Sequence, residues 1–131
     1  MKKYFITILF TILLLGCCPE SREITARTFE TVRVLDGDTF KINYDGELIS
    51  VRIWGINAPE MRTPDGPASK QALIKLIEGK IIRIEFPTDK KRDNFGRLLC
   101  QIFIDEIDVG YYLIKHGYAI RYMDKNQYLQ K

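Results

Sequence analysis

Three short polar segments of this 131-residue chain carry residues that could perform chemistry. They are DGDT at residues 36–39, GINAPE at residues 55–60 and DNFGR at residues 93–97. Each combines a glycine with carboxylate or amide oxygens, while Arg52 precedes the second segment and Arg97 ends the third. Because the segments are far apart in sequence, they can act together only if the fold brings them to one place.

Such a set of side chains is suited to the metal-assisted hydrolysis of a phosphodiester. Asp and Asn oxygens are hard ligands for a calcium-like cation, and a bound cation neutralises charge that develops on a phosphate. Arginines bind the remaining phosphate oxygens, bidentately where the geometry allows. A free carboxylate can then take a proton from the attacking water.

The elements that must position these segments are mostly strands. Alternating apolar residues predict strands within 31–35, 39–44, 47–54, 80–86 and 96–104, and Asp45-Gly46 predicts a tight hairpin between the second and third. Helical spacing predicts a helix over 66–80, with Pro67 in its first turn and Gly79 at its end, and a short helix over 108–117. This order predicts a β-rich α+β domain: a five-stranded OB-type Greek-key barrel with a helix after strand 3 and a short helix after strand 5.

The N-terminus has the pattern of an export signal. A basic MKK is followed by a twelve-residue apolar run, shorter than the roughly 20 residues that span a bilayer, and then by LLGC. LLGC resembles the lipobox of bacterial lipoproteins, so residues 1–16 are predicted to be a signal peptide and Cys17 the lipidated residue. An ordinary signal peptide cut nearby is the alternative. Residues 17–29 are predicted to be anchor and tether, and residues 30–131 the folded domain.

Charge and cysteine content narrow the function only slightly. Removing Lys2 and Lys3 from the 20 basic residues leaves 18 against 17 acidic ones, too small an excess to indicate nucleic-acid binding by itself. Cys17 and Cys18 belong to the predicted processing site, and Cys100 in an apolar run is predicted to be buried. The cysteines therefore support neither a disulfide framework nor a zinc site.

Taken together, VLDGDTF, VRIWGINAPE and RDNFGRLL resemble the motifs of the staphylococcal nuclease (thermonuclease) family, over about residues 30–122. The resemblance implies an OB fold and a calcium-dependent nuclease. It assigns phosphate binding to Arg52 and Arg97 and the general base to Glu60. It also implies that Asp38, Asn57 and the Ala58 backbone carbonyl bind calcium. Asp36 is implied to be a supporting acid that does not bind the ion itself.

Departures from the family pattern bear on this expectation. Asn57 stands where the family has a second ligand aspartate, so one formal negative charge is lost and weaker calcium binding is expected. The loop MRTPDG is short, and NQYLQK at 126–131 resembles the beginning of the family's last helix, cut off. Tyr122 is a possible substrate contact, whereas the histidine at position 116 and Trp54 are interpreted as structural.

The expected function is an endonuclease that hydrolyses DNA and RNA with little sequence specificity and leaves 3′-phosphate ends. A monomer is expected, exported and held by its N-terminal lipid on a bacterial membrane, outer or cell, with the domain outside the cytoplasm. The alternative is a catalytically weak or inactive OB-fold module that binds nucleic acid or a partner. A structural envelope lipoprotein is a third hypothesis, which leaves both arginines unexplained.

Overall fold

The computed structural model describes residues 27–122. The predicted signal peptide, Cys17, most of the predicted tether and the predicted last helix lie outside the described residues. The elements in chain order are β1 Arg27–Val34, β2 Thr39–Tyr44, β3 Glu47–Ile53, β4 Ile56–Asn57, α1 Gly66–Ile77, β5 Ile81–Glu85, β6 Leu98–Ile104, β7 Ile107–Asp108, α2 Val109–Lys115 and β8 Ile120–Arg121.

Five of these strands close into a barrel. β1 pairs antiparallel with β2 and β5, β2 with β3, and β5 with β6, while β3 and β6 close the ring in parallel. α1 follows the third strand and α2 follows the β6–β7 hairpin. The predicted OB-type barrel is confirmed. The parallel closure of β3 on β6 matters most for the site, because it joins segments about 45 residues apart, as in the pairing of Arg52 with Leu99.

Alternating side chains of the strands fill the interior, and both helices contribute to it. Phe40 and Ile42 of β2 are fully buried with Val51 of β3, as the alternation predicts. Leu73 and Ile77 of α1 and Leu113 of α2 belong to the same buried cluster. Cys100 is also buried within it, as predicted.

The predicted turns and helix ends are found where glycines and caps allow them. Asp45 and Gly46 both have positive φ, 50° and 86°, which a tight hairpin turn requires. α1 has proline in its first turn and is followed by Gly79 at φ 71°. Asp108 caps α2 by accepting a hydrogen bond from Tyr111 N at 3.0 Å. No helix within residues 27–122 is long and apolar enough to cross a bilayer.

The barrel begins earlier than the sequence pattern indicates. β1 starts at Arg27, inside the stretch predicted as tether, and residues 27–30 pair with β5. The Phe29 ring lies 5.4 Å from the Tyr44 ring, and Arg27 donates a hydrogen bond to the Tyr44 hydroxyl. Residues 27–29 therefore belong to the barrel, because their backbone pairs with β5 although their side chains are mostly exposed.

Candidate active site

The DGDT turn places Asp38 at one rim of the barrel. Leu35 N and Asp36 N both donate to Thr39 O, and Asp36 Oδ1 accepts from Asp38 N at 3.0 Å. Gly37 faces α1 so closely that a Cβ there would lie 2.0 Å from Ser69 Oγ. The glycine is therefore required by close packing on α1, and not only by the bend between the two aspartates.

The Asp38 carboxylate joins the DGDT segment to the GINAPE segment. It is 7% exposed, and its Oδ2 accepts a hydrogen bond from Ala58 N at 2.8 Å. Arg52 Nη1 lies 2.7 Å from the same oxygen, which makes a nearly buried ion pair. Oδ1 accepts from the Thr39 hydroxyl at 3.0 Å. Two of the three segments therefore meet at Asp38, and DNFGR joins them through the contact of Arg97 with Thr39.

Arg52 also contacts the GINAPE loop. Its Nη2 donates to Ile56 O and to Asn57 Oδ1, each at 3.2 Å. These bonds tie the end of β3 to β4 and fix the position of the guanidinium. Asp38 and Asn57 are the two side chains predicted as metal ligands, and both direct an oxygen at this one cationic group.

Arg97 reaches the same rim from the loop before β6. Asp93 Oδ2 accepts from Arg97 Nε at 2.7 Å, and Asp93 Oδ1 accepts from the backbone N–H groups of Phe95 and Arg97. Arg97 Nη1 lies 3.5 Å from Thr39 Oγ1, so Thr39 connects Asp38 to Arg97. Thr39 and Asp93 are site residues that the sequence analysis did not single out, although both belong to its motifs.

The pKa values of the two acidic residues that support the site are shifted in opposite directions. Burial raises the pKa of Asp36 above its ordinary value; the backbone N–H of Asp38 opposes this rise, and the nearby charge of Asp38 adds to it. Partial burial acts the same way on Asp93, but the hydrogen bonds from Arg97 and Phe95 outweigh it and lower the pKa of Asp93. Asp93 is thus held as a carboxylate beside Arg97.

Glu60 lies on the same loop as Asn57 and Ala58 and is exposed. Its backbone oxygen accepts from Thr63 N and Thr63 Oγ1, at 2.9 and 2.7 Å, which turns the chain toward α1. A Cβ at position 66 would lie 2.2 Å from this oxygen, so Gly66 permits the turn. The backbone of Glu60 is therefore fixed, while its carboxylate has no hydrogen-bond partner within residues 27–122 and faces solvent.

The remaining predicted residues lie at the side of the rim. Tyr122 is 48% exposed, and its backbone N–H donates to Gly55 O at 2.9 Å, next to β4. β4 and β8 form a two-residue pairing in which Asn57 faces Ile120. His116 is exposed at the end of α2 and stacks on Tyr112, away from the polar cluster, as interpreted from the sequence.

The donor set around Asp38 fits a hard cation better than a soft one. Within residues 27–122, no three His, Cys, Asp or Glu side chains converge in the manner of a metal site. The oxygens that do converge are one carboxylate and one amide, from Asp38 and Asn57, and Ala58 is adjacent to both. Oxygen donors of this type suit calcium, at a lower ligand charge than two carboxylates give.

The family of this chain follows from its match to a family model. The family model described as "Staphylococcal nuclease homologue" matches residues 50–131, well over half of the chain. The chain belongs to the staphylococcal nuclease family. The match includes Arg52, Asn57, Glu60 and Arg97; Asp38 lies outside it and is joined to the site by the contacts described above.

Three relatives illustrate how far the similarity extends. The SPbeta prophage-derived endonuclease YokF of Bacillus subtilis (strain 168) is 32% identical over 93 residues, which are 66% of this chain and 31% of the relative. Endonuclease YncB of the same organism is 31% identical over 93 residues, 66% of this chain and 44% of the relative. An uncharacterized endonuclease of Escherichia coli O157:H7 is 30% identical over 127 residues, 96% of this chain and 77% of the relative. This member of the staphylococcal nuclease family thus spans less than half the length of either Bacillus relative.

Proposed function

We propose that this protein is an endonuclease that hydrolyses phosphodiester bonds of DNA and RNA with little sequence specificity. The observation that carries the proposal is the convergence of Arg52 and Arg97 on the Asp38–Thr39 pair. The exposed Glu60 lies two residues after Ala58, whose backbone N–H donates to Asp38. Two guanidinium groups at one rim form a site for a phosphate and for the charge that grows on it during hydrolysis. The endonuclease names of the relatives support the same activity.

Each side chain has a distinct task in the proposed reaction. Glu60 takes a proton from a water that attacks phosphorus. Arg52 and Arg97 bind the non-bridging oxygens, and Asp93 fixes the direction of Arg97. The bond from phosphorus to the 5′ oxygen breaks, the 5′ oxygen leaves as a hydroxyl after taking up a proton, and the phosphate stays on the 3′ end.

We propose calcium as the cofactor, held by Asp38, Asn57 and the Ala58 backbone carbonyl. When bound, it supplies positive charge that stabilises the phosphate in the transition state. The amide of Asn57 contributes an oxygen without a charge, so a high calcium concentration is expected for full occupancy. Asp36 supports Asp38 by accepting from its backbone N–H.

The test is cleavage of single-stranded DNA, double-stranded DNA and RNA by the full chain across a calcium titration. Glu60→Gln is expected to lower kcat by about 10²–10⁴-fold, since a positioned general base contributes that much. Glu106→Gln, an exposed glutamate in the turn between β6 and β7, is the matched control and is expected to leave kcat unchanged. Cleavage that survives Glu60→Gln undiminished would contradict the assigned base.

A second candidate function is a binding module without catalysis. The observation that favours it is the Asp38–Arg52 ion pair together with the neutral Asn57, because the two predicted ligand oxygens are already satisfied by a guanidinium. Binding of an oligonucleotide by a folded protein, with no cleavage at any calcium concentration, would establish this alternative.

Mass analysis of the cleaved ends distinguishes a 3′-phosphate from a 5′-phosphate if cleavage occurs.

Export and lipidation at Cys17 are also proposed, on the sequence pattern of residues 1–17 alone. Labelling of expressing bacteria with a radioactive fatty acid is expected to mark the protein and to fail with Cys17→Ser. Cys18→Ser is the matched control and is expected to keep the label. Label in the Cys17→Ser protein would move the attachment elsewhere.

A further inference from the structure

A small cleft opens beside β4. Its volume is about 130 Å³, and it lies between the β3–β4 connection, β6 and α2. Its lining includes Trp54, Ile56, Gln101, Asp108, Tyr111 and Arg121. Pockets that enclose a drug-sized ligand measure roughly 300–1,000 Å³, so this one admits about one ring system.

The walls of the cleft offer aromatic faces to a flat ligand. Tyr111 is 59% exposed at its edge, although it follows the buried Gly110 on α2. Trp54 also lines the cleft, and its buried Nε1 has no hydrogen-bond acceptor among residues 27–122. An indole N–H usually finds a partner when it is buried. A ligand acceptor can supply that partner if the indole ring turns toward the cleft.

Charged groups at the rim match the edges of a nucleotide. Arg121 on β8 is exposed, and within residues 27–122 no carboxylate lies in ion-pair range of it. Asp108 also lines the cleft, and its Oδ1 caps α2. A carboxylate accepts from an exocyclic amino group of a base, and an arginine binds a phosphate.

β4 connects this cleft directly to the candidate active site. The side of β4 at Ile56 lines the cleft, while Ile56 O accepts from Arg52 and the next residue is Asn57. We propose that the cleft binds one nucleobase adjacent to the scissile phosphate, with Tyr111 stacking on the base and Arg121 binding a flanking phosphate. This inference rests on the proposed nuclease function and adds a specificity-determining subsite to it.

The single tryptophan of the chain makes the proposal directly measurable, since all indole fluorescence comes from Trp54. Titration of the full chain with adenosine, guanosine, cytidine and thymidine is expected to change Trp54 emission saturably, and inorganic phosphate alone is not. Nucleosides carry no phosphodiester, so this binding does not depend on cleavage. An unchanged emission with all four nucleosides would overturn the proposal.

Variants at Tyr111 separate stacking from folding. Tyr111→Leu is expected to weaken nucleoside binding about tenfold, because stacking on an aromatic ring contributes an effect of that size per base. Tyr111→Phe keeps the ring and is expected to bind like the wild type. In cleavage assays, Tyr111→Leu is expected to raise KM for an oligonucleotide about tenfold with kcat unchanged. Equal binding and equal KM in the leucine variant would overturn the assignment.

The two proposals can fail separately. Trp54 quenching without cleavage would remove the nuclease function and leave the base-binding cleft in place. Cleavage without quenching, and with KM insensitive to Tyr111→Leu, would retain the nuclease and remove the cleft from its substrate site. Arg121→Gln, compared with Arg33→Gln on the exposed side of β1, is expected to raise KM only for substrates with a flanking phosphate.

Discussion

At the scale of residues, Asp38 and the two arginines of the site are each held by a neighbouring side chain or backbone group. Asp38 is held by Ala58 N and the Thr39 hydroxyl, and it in turn fixes Arg52. Arg97 is held by Asp93, and Thr39 completes the link between the two arginines. Glu60 differs from them, because its backbone is fixed while its carboxylate has no hydrogen-bond partner within residues 27–122, which suits the role of general base proposed for it.

Asn57 sets the first prediction at this scale. Asn57→Asp adds a negative charge next to Asp38, so the calcium concentration at half-saturation is expected to fall about tenfold, because calcium affinity follows ligand charge. Calorimetric titration of the protein without substrate measures it. Asn43→Asp adds the same charge in the β2–β3 hairpin and is expected to leave the midpoint unchanged. No difference between the two variants would remove Asn57 from the metal site.

The opposite pKa shifts of Asp36 and Asp93 give a pH prediction. Because folding raises the pKa of Asp36, its ionisation costs stability, and this cost appears as pH rises through its folded pKa. Asp36→Asn is therefore expected to raise the free energy of unfolding at pH 7. The gain is expected to disappear below the ordinary aspartate pKa of 3.8, where the carboxyl is protonated in both states.

Asp93 provides the control of opposite sign. Its pKa is lowered by folding, so its ionised form adds stability above the ordinary pKa, and this is lost as pH falls through the lowered value. Asp93→Asn is expected to lower the free energy of unfolding at pH 7 and to approach the wild type in acid. Urea melts between pH 2.5 and 7 test both variants; shifts of the same sign would contradict the two assignments.

At the scale of elements, the turns and loops are shaped by how closely the backbone approaches α1. Gly37 faces Ser69, and Gly66 faces the Glu60 carbonyl oxygen. Ser69 cannot simply move aside, because its buried hydroxyl donates to Tyr118 O at 2.7 Å. One helix thus supports the DGDT turn, the Glu60 turn and the segment that leads into β8.

Gly37→Ala is expected to destabilise the protein by about 1–3 kcal/mol, since crowding of a packed site costs that much. The shift in the urea midpoint measures it. Gly46 is the control position that distinguishes crowding from backbone strain. A Cβ added there would meet nothing within 4 Å, and its φ of 86° is tolerated by asparagine. Gly46→Asn is expected to cost less than Gly37→Asn. Equal costs would show that turn geometry, and not packing on α1, requires Gly37.

The sequence predicted these elements well where a pattern was long enough to read. Alternation over β2, β3, β5 and β6 and the spacing in α1 predicted the barrel, and the three motifs predicted the residues that meet at Asp38. β4 and β8 are two residues each, too short for any periodicity, and their pairing depends on the closed barrel. Arg27–Phe29 were missed because their side chains are largely exposed, so their strand depends on backbone pairing with β5.

The sequence predicted which residues form the site better than it predicted which of them contact each other. The motifs indicated that Asp38, Arg52 and Asn57 act together, but not that Arg52 would contact both oxygens. The cleft at Trp54 was also missed, because a tryptophan after a strand usually packs, and its lining comes from four separate segments. Such features depend on tertiary contacts, which cannot be predicted from the spacing of residues within one segment.

At the scale of the whole molecule, the pairing of β3 with β6 closes the barrel, so we expect the barrel to unfold as one cooperative unit. Cys100 lies on β6 next to this seam and is fully buried, and burial raises the pKa of its thiol to about 12. A thiol with such a pKa and no solvent contact reacts only when the barrel opens.

The Cys17→Ser, Cys18→Ser variant is therefore expected to resist a thiol reagent at pH 8 under native conditions. With added urea, the labelling rate of Cys100 is expected to follow the global free energy of unfolding, because core positions open only with the whole domain. Mass spectrometry over time measures the rate. Labelling within the mixing time in the absence of urea would show that the β3–β6 seam opens locally.

The pairing of β4 with β8 has a consequence for the time at which the proposed activity can arise. The loop that carries Asn57 is tied to Ile120, and Tyr122 is tied to Gly55, so the rim is incomplete until nearly all of the described chain has been synthesised. A growing chain that does not yet include residues 120–122 therefore lacks part of the rim on which the proposed function depends.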